Sequence, residues 1–235
     1  MMKTFLTFAF GAPLLTLALL AQDGAAPKPA EGAKPGADQA VVDAQRPSYP
    51  LATCVVSGEP LGGEHGEPVE YVKDGRLLRL CCKMCAKDVD KSPAEFIAKV
   101  DAAVIAAQKP TYPLEQCPVS GEKLGSMGEP LDHVYGTRLV RFCCKGCIKG
   151  LNKDPKKVLA QIDEALIAQQ KASYPLSTCV ISGEDLDAEG GAPVDFLYGV
   201  RLVRFCCKQC IGEFKKDPDA HLSKLDAARA KGPAR

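Results

Sequence analysis

Two short β-prone runs lie side by side at three places along the chain, each pair followed by sequence of helical period. In the last pair, Val194-Asp195-Phe196-Leu197 and Arg201-Leu202-Val203-Arg204-Phe205 predict two strands joined through Tyr198-Gly199. In the first, the connection is Lys73-Asp74-Gly75, and Asp-Gly between β-prone runs is a strong hairpin signal. Beyond each hairpin a lysine-rich amphipathic stretch, such as Ile211 to Lys216, predicts a short helix. A second helix then begins at a cap. Ser92-Pro93-Ala94-Glu95 combines an N-cap serine, a proline at the first helical position and a glutamate three residues after the cap, and Asp154-Pro155 and Asp217-Pro218 repeat the cap and proline. Phe96, Ile97, Val100, Val104 and Ile105 then recur at helical spacing, so this helix has one apolar stripe to pack on the hairpin.

The elements belong to a longer repeat. From Tyr49, Tyr112 and Tyr174 the chain reads Tyr-Pro-Leu, two residues, a cysteine, two residues and Ser-Gly-Glu, and then passes through a glycine-rich loop into the hairpin. Cys54 and Cys117 are 63 residues apart and Cys117 and Cys179 are 62 apart, a fixed period that implies one structural unit used three times. The expected fold is α+β. It comprises three tandem treble-clef or zinc-ribbon-like units, each a cysteine knuckle, a β-hairpin and one or two helices, over 49–109, 110–171 and 172–231.

The N-terminus is a separate matter. Lys3, an apolar run from Phe5 to Leu20 and the small Ala21 before Gln22 read as a signal peptide over residues 1–21. The run is too short and too lightly flanked for a membrane span, so no stable membrane insertion is expected after cleavage, and the location is periplasmic or secreted. Residues 22–48, rich in Ala, Pro, Gly and Lys, read as a disordered tether.

Composition narrows the function. Thirty Lys and Arg stand against 29 Asp and Glu, a balance that argues against charge-driven binding to nucleic acid. Units of this length bury little apolar surface, and aromatic residues are only 6%, so a metal or disulfides would have to supplement the core.

Sulfur supplies that supplement. Cys81-Cys82-Lys83-Met84-Cys85, Cys143-Cys144-Lys145-Gly146-Cys147 and Cys206-Cys207-Lys208-Gln209-Cys210, with Cys54, Cys117 and Cys179 upstream, account for all 12 cysteines. A knuckle cysteine and cysteines at a helix start, distant in sequence, converge on one ion in small zinc units. Arg79, Arg141 and Arg204, with Lys83, Lys145 and Lys208, would place positive charge beside such an anionic site. His65, His133 and His221 do not recur in register and read as surface or packing residues. No carboxylate pair, phosphate loop or Ser–His pair recurs, so the chain is read as no enzyme.

The segment Arg141 to Ile148, Arg-Phe-Cys-Cys-Lys-Gly-Cys-Ile, followed by Asp154-Pro155, resembles the TRASH and YHS family of small heavy-metal-binding domains. Cys117-Pro118-Val119-Ser120-Gly121 is similar to that family's N-terminal knuckle. The resemblance covers Tyr49 to about Asp226. It implies a treble-clef-like fold and a role in metal sensing, transport or resistance. Carried over by position, it implies the separated ligand Cys54, Cys117 or Cys179 and the pairs Cys81 with Cys85, Cys143 with Cys147 and Cys206 with Cys210. The chain departs from the pattern where many knuckles carry a second cysteine, having Ser57, Ser120 and Ser182 there. Cys82, Cys144 and Cys207 are then candidates to complete four-sulfur sites, the alternative being spare thiols.

All-thiolate sites suit zinc or Cu(I), and only Met84 and Met127 remain in the chain after cleavage, which favours Zn2+ over Cu+. The expected function is binding of zinc or another soft ion, for sequestration, delivery or a metal-stabilised interaction with a protein partner. Two rivals use the same sulfurs. Disulfides would suit an exported protein, although neighbours such as Cys81 and Cys82 pair only with strain. Thiol redox chemistry would suit the Cys-x-x-Cys spacing, but a unit with one hairpin lacks the framework of thioredoxin-like enzymes.

Overall fold

The computed structural model describes residues 39–187 and 192–231. The expected signal peptide and residues 22–38 of the expected tether lie outside the described residues. The last part of that tether is helical instead: α1 spans Gln39–Gln45, and a 3-10 turn covers Arg46–Ser48. Val42, Gln45 and Ser48 are buried there, so this stretch has a core to join that its composition did not reveal.

The described chain is a mixed α+β structure with three small antiparallel hairpins and three cysteine-rich clusters. The hairpins are β1 (Val69–Lys73) with β2 (Arg76–Leu80), β3 (Leu131–Tyr135) with β4 (Arg138–Phe142), and β5 (Val194–Tyr198) with β6 (Arg201–Phe205). Behind the first come α2 (Ala86–Lys91) and α3 (Pro93–Gln108), and behind the second α4 (Ile148–Lys153) and α5 (Pro155–Lys171). The third is followed by α6 (Gln209–Phe214) and α7 (Pro218–Ala230).

Two-residue turns close the hairpins. Asp74 and Gly75 both take positive φ, at 50° and 71°, the pattern whose twist matches paired strands. In the other two hairpins only the leading glycine does so, Gly136 at 62° and Gly199 at 66°.

Alternate residues of each second strand face the helices that follow. Leu78 and Leu80, Val140 and Phe142, and Val203 and Phe205 are at most 1% exposed. They join the helical stripes Phe96, Val100 and Val104, then Val158, Ile162 and Leu166, then Leu222 and Leu225. In the third cluster Phe214 meets Phe205 and Tyr198 edge-on, with ring centroids 5.6 and 5.2 Å away.

The opposite hairpin face is also used. Leu139, in β4, belongs to the apolar cluster of the first sequence copy, and Leu197 and Val200 pack against the cluster of the second. α3 and α5 are therefore each held between the hairpin before and the hairpin after, and Tyr112 packs against both of the first two cores.

Glutamine side chains fix that stacking. Gln45 donates from Nε2 to the Gly75 carbonyl at 2.7 Å and accepts the Leu77 N–H at 2.9 Å. Gln108 makes the same pair with Thr137 and Leu139 at 2.8 and 2.9 Å, and Gln170 with Val200 and Leu202 at 2.8 and 2.9 Å. Each satisfies one donor and one acceptor on a strand edge that no further strand covers.

The segment ending α1 reaches all three hairpin tips. Besides the Gln45 bonds to the first, Thr137 of the second donates to the Gln45 carbonyl at 2.8 Å. That uses its one hydroxyl proton, so Ser48 Oγ must donate to Thr137 Oγ1 across their 2.7 Å contact. At the third tip, a Cβ on Gly199 would lie 2.5 Å from the Pro47 carbonyl oxygen, so backbone meets backbone.

Candidate metal centre

Three cysteines from two elements meet at each site. The first, Cys54, sits in a tight knuckle: its N–H donates to the Glu59 carbonyl at 2.7 Å and its carbonyl accepts from Gly58 at 2.9 Å, with Gly58 at φ 79°. A single β-bridge, Thr53 to Pro60, closes the loop. The same bonds close Cys117 with Glu122 and Gly121, and Cys179 with Glu184 and Gly183. The other two thiols come from the end of β2 and from the helical turn behind it.

Cys54, Cys81 and Cys85 bring their sulfurs within 4.8 Å of one another, as do Cys117, Cys143 and Cys147, and Cys179, Cys206 and Cys210. Cys81 lies 3.7 Å from Cys85, and the matching pairs Cys143–Cys147 and Cys206–Cys210 are both 3.8 Å apart. A tetrahedral zinc with bonds of about 2.3 Å to sulfur sets neighbouring sulfurs about 3.8 Å apart. A disulfide needs about 2.0 Å, and all 12 cysteines are free. The trios could thus hold a metal ion, and their all-sulfur donor set fits zinc and Cu(I) alike.

Serine at the knuckle takes a supporting role. Ser57 Oγ lies 3.4 Å from Cys81 Sγ and accepts the Glu59 N–H at 3.3 Å. Ser120 and Ser182 do the same at Cys143 and Cys206, at 3.3 and 3.4 Å. The third site is more open: Cys206 is half-buried where Cys81 and Cys143 are buried, and it donates to Glu184 at 3.4 Å.

Protonation of the trio is uneven. Burial works to raise the Cys54 thiol, but hydrogen bonds from Ser57 and from the backbone of Cys81 and Val56 bring it down to about 6. Cys117 is likewise brought to about 6 and Cys179 to about 7. Burial, with the neighbouring sulfurs, pushes Cys147 up to about 12 and raises Cys85 and Cys210 in the same sense. One thiolate per trio is easily formed and the next proton is retained, because adjacent negative sulfurs repel in a buried site. A cation removes that repulsion and displaces the retained protons.

Cys82, Cys144 and Cys207 stand beside the trios and are not members of the mutually close sets. Cys82 has extended backbone, φ −155° and ψ 166°, as the residue that leads into the 3-10 turn. It is half-buried, and its sulfur comes back to 3.9 Å from Cys85.

The arginines expected beside the sulfurs are spent elsewhere. Arg79, Arg141 and Arg204 pair through Nε with their cross-strand partners Glu70, Asp132 and Asp195, at 3.1, 2.7 and 2.9 Å. Each guanidinium also lies over the repeated tyrosine, and each backbone N–H donates to that tyrosine's hydroxyl. Local acids neutralise them, so their recurrence marks a packing unit. Lys83, Lys145 and Lys208 are exposed. His65 lies in a loop, His133 in β3 and His221 in α7, and none joins a sulfur trio.

Sequence reasoning missed Gln45, Gln108 and Gln170. The available signal was their recurrence four residues before Tyr49, Tyr112 and Tyr174. Comparison with known proteins finds no matching family model, no matching curated protein and no matching solved structure.

Proposed function

We propose that this is an exported, non-enzymatic protein of three tandem treble-clef-like domains, related to the TRASH and YHS family, that binds soft metal ions through cysteine thiolates. Zinc is the preferred ion and Cu(I) the alternative. The role is sequestration or delivery of the ion, or a metal-stabilised contact with a protein partner, in the periplasm or outside the cell.

The observation that carries this reading is the threefold recurrence of a sulfur trio at metal-site spacing and not at disulfide spacing. Cys54, Cys81 and Cys85 would hold the first ion, Cys117, Cys143 and Cys147 the second, and Cys179, Cys206 and Cys210 the third. Three sulfurs per site, all buried in the first two trios and two of three in the third, leave a coordination position open and suit an ion that can be passed on. Among the described residues no helix is long and apolar enough to cross a membrane. Changing Cys85, Cys147 or Cys210 singly to Ser should each lower the bound zinc by one ion, measured by elemental analysis of the purified chain. Unchanged zinc content in all three variants would refute the assignment.

A further inference from the structure

Each trio has a companion thiol that the metal reading leaves without work. Cys82, Cys144 and Cys207 are half-buried and sit at the outer edge of their sites, whereas Cys54, Cys85, Cys117, Cys147, Cys179 and Cys210 are buried. Their sulfurs lie 3.9, 3.9 and 3.6 Å from Cys85, Cys147 and Cys210. In each pair the inner sulfur also belongs to the trio, so the outer thiol touches the site through one of its own members.

The turn between them suits a bond. Cys82 and Cys144 are the N-cap residues of the 3-10 turns Lys83–Cys85 and Lys145–Cys147, so each faces its partner across a single short turn. Cys81 is a poor alternative partner, because adjacent cysteines pair only with strain.

We propose that Cys82–Cys85, Cys144–Cys147 and Cys207–Cys210 are dithiol pairs that react with small-molecule disulfides and so open the metal sites. This rests on the metal reading above. The Cys82 thiolate attacks one sulfur of R–S–S–R, that S–S bond breaks, RS⁻ leaves, and a mixed disulfide forms on Cys82. Cys85 Sγ, as thiolate, then attacks the Cys82 sulfur and expels the second RS⁻. Two protein thiolates lose two electrons and become one disulfide, and R–S–S–R gains two and becomes two thiolates. Cys85 is thereby withdrawn from the trio, leaving Cys54 and Cys81 as the two remaining sulfurs, too few for a closed site. The result is a site that holds its ion under reducing conditions and surrenders it to an oxidant.

The test uses the full zinc-loaded chain and glutathione disulfide. Zinc release is followed with a chromophoric chelator, and bridges are mapped by peptide mass spectrometry. The expected result is one zinc released per disulfide formed, with bridges at Cys82–Cys85, Cys144–Cys147 and Cys207–Cys210. The variant carrying Cys82→Ser, Cys144→Ser and Cys207→Ser should load three zinc ions and release them at least about tenfold more slowly under the same oxidant. Release at the wild-type rate from that variant, or bridges to Cys54 or Cys81, would overturn the proposal. Loss of zinc loading in the variant would overturn it too, making these thiols ligands while the metal reading stands. If the wild-type chain loads no zinc, the metal reading fails separately, and the bridge map of the metal-free chain still decides the dithiol reaction.

Discussion

The Gln108 side chain accepts the Leu139 N–H at 2.9 Å and, through Nε2, donates to the Thr137 carbonyl at 2.8 Å, binding the end of one helix to the edge of the next hairpin. Leu139 itself packs into the apolar cluster that contains Val104 of the same helix. A polar clamp and an apolar contact therefore secure one junction.

Replacing Gln108 by Ala leaves a part-buried donor and acceptor without partners, at a cost of about 1–3 kcal/mol. Because the cores share residues, the loss should lower a single unfolding transition and not split it in two. Urea titration followed by far-UV circular dichroism and by tyrosine fluorescence checks this, and the two curves should coincide.

Gly199 and Gly75 occupy matching turns but meet different surroundings. Both have positive φ, yet a Cβ on Gly75 meets nothing within 4 Å, while one on Gly199 would strike the Pro47 backbone at 2.5 Å. Gly75→Ala should cost about 1 kcal/mol, the ordinary penalty of left-handed backbone. Gly199→Ala should cost more, about 2–4 kcal/mol, because the segment ending α1 must also be displaced. Equilibrium unfolding of the two variants gives the comparison.

Asp132 accepts from Arg141 at 2.7 Å and pairs with Lys109 at 2.8 Å; Asp195 does the same with Arg204 and Lys171. Burial alone would raise these carboxyls, but the two cations hold both below the ordinary value of 3.8. A carboxyl with a depressed folded pKa contributes stability that is complete above its unfolded value and lost as pH falls through the folded one. The stability gap between wild type and Asp132→Asn should accordingly be constant from neutral pH to about pH 5 and narrow below about pH 4. Denaturant unfolding across that range measures it.

Much of the fold was legible because its signals are local. The Asp74-Gly75 turn and the β-prone runs beside it fixed the hairpins, and Pro93, Pro155 and Pro218 fixed the helix starts. Asp154 and Asp217 cap as expected, accepting from Lys157 and Ala220 at 3.0 and 3.1 Å. Ser92 occupies the same position without a side-chain cap, and its backbone carbonyl takes the Glu95 N–H instead. That a knuckle cysteine and helix-start cysteines meet was legible from spacing, while the trios themselves are the sets that the TRASH and YHS resemblance implied by position, without the adjacent Cys82, Cys144 and Cys207. What was hidden depends on neighbours distant in sequence. The bonds of Gln45 and Ser48 to hairpin tips distant in the chain are what tie residues 39–48 down. Arg79 recurs beside sulfur in sequence, but its charge is met by Glu70, a cross-strand neighbour that the linear pattern does not reveal.

Native mass spectrometry of the protein purified without reducing agent tests the central claim most directly. The account predicts a holo mass carrying three metal ions per chain, a loss of those three ions on chelation, and trio thiols that titrate only afterwards, while Cys82, Cys144 and Cys207 titrate throughout. A chain that takes up no metal when zinc is added after its disulfides are reduced would contradict it.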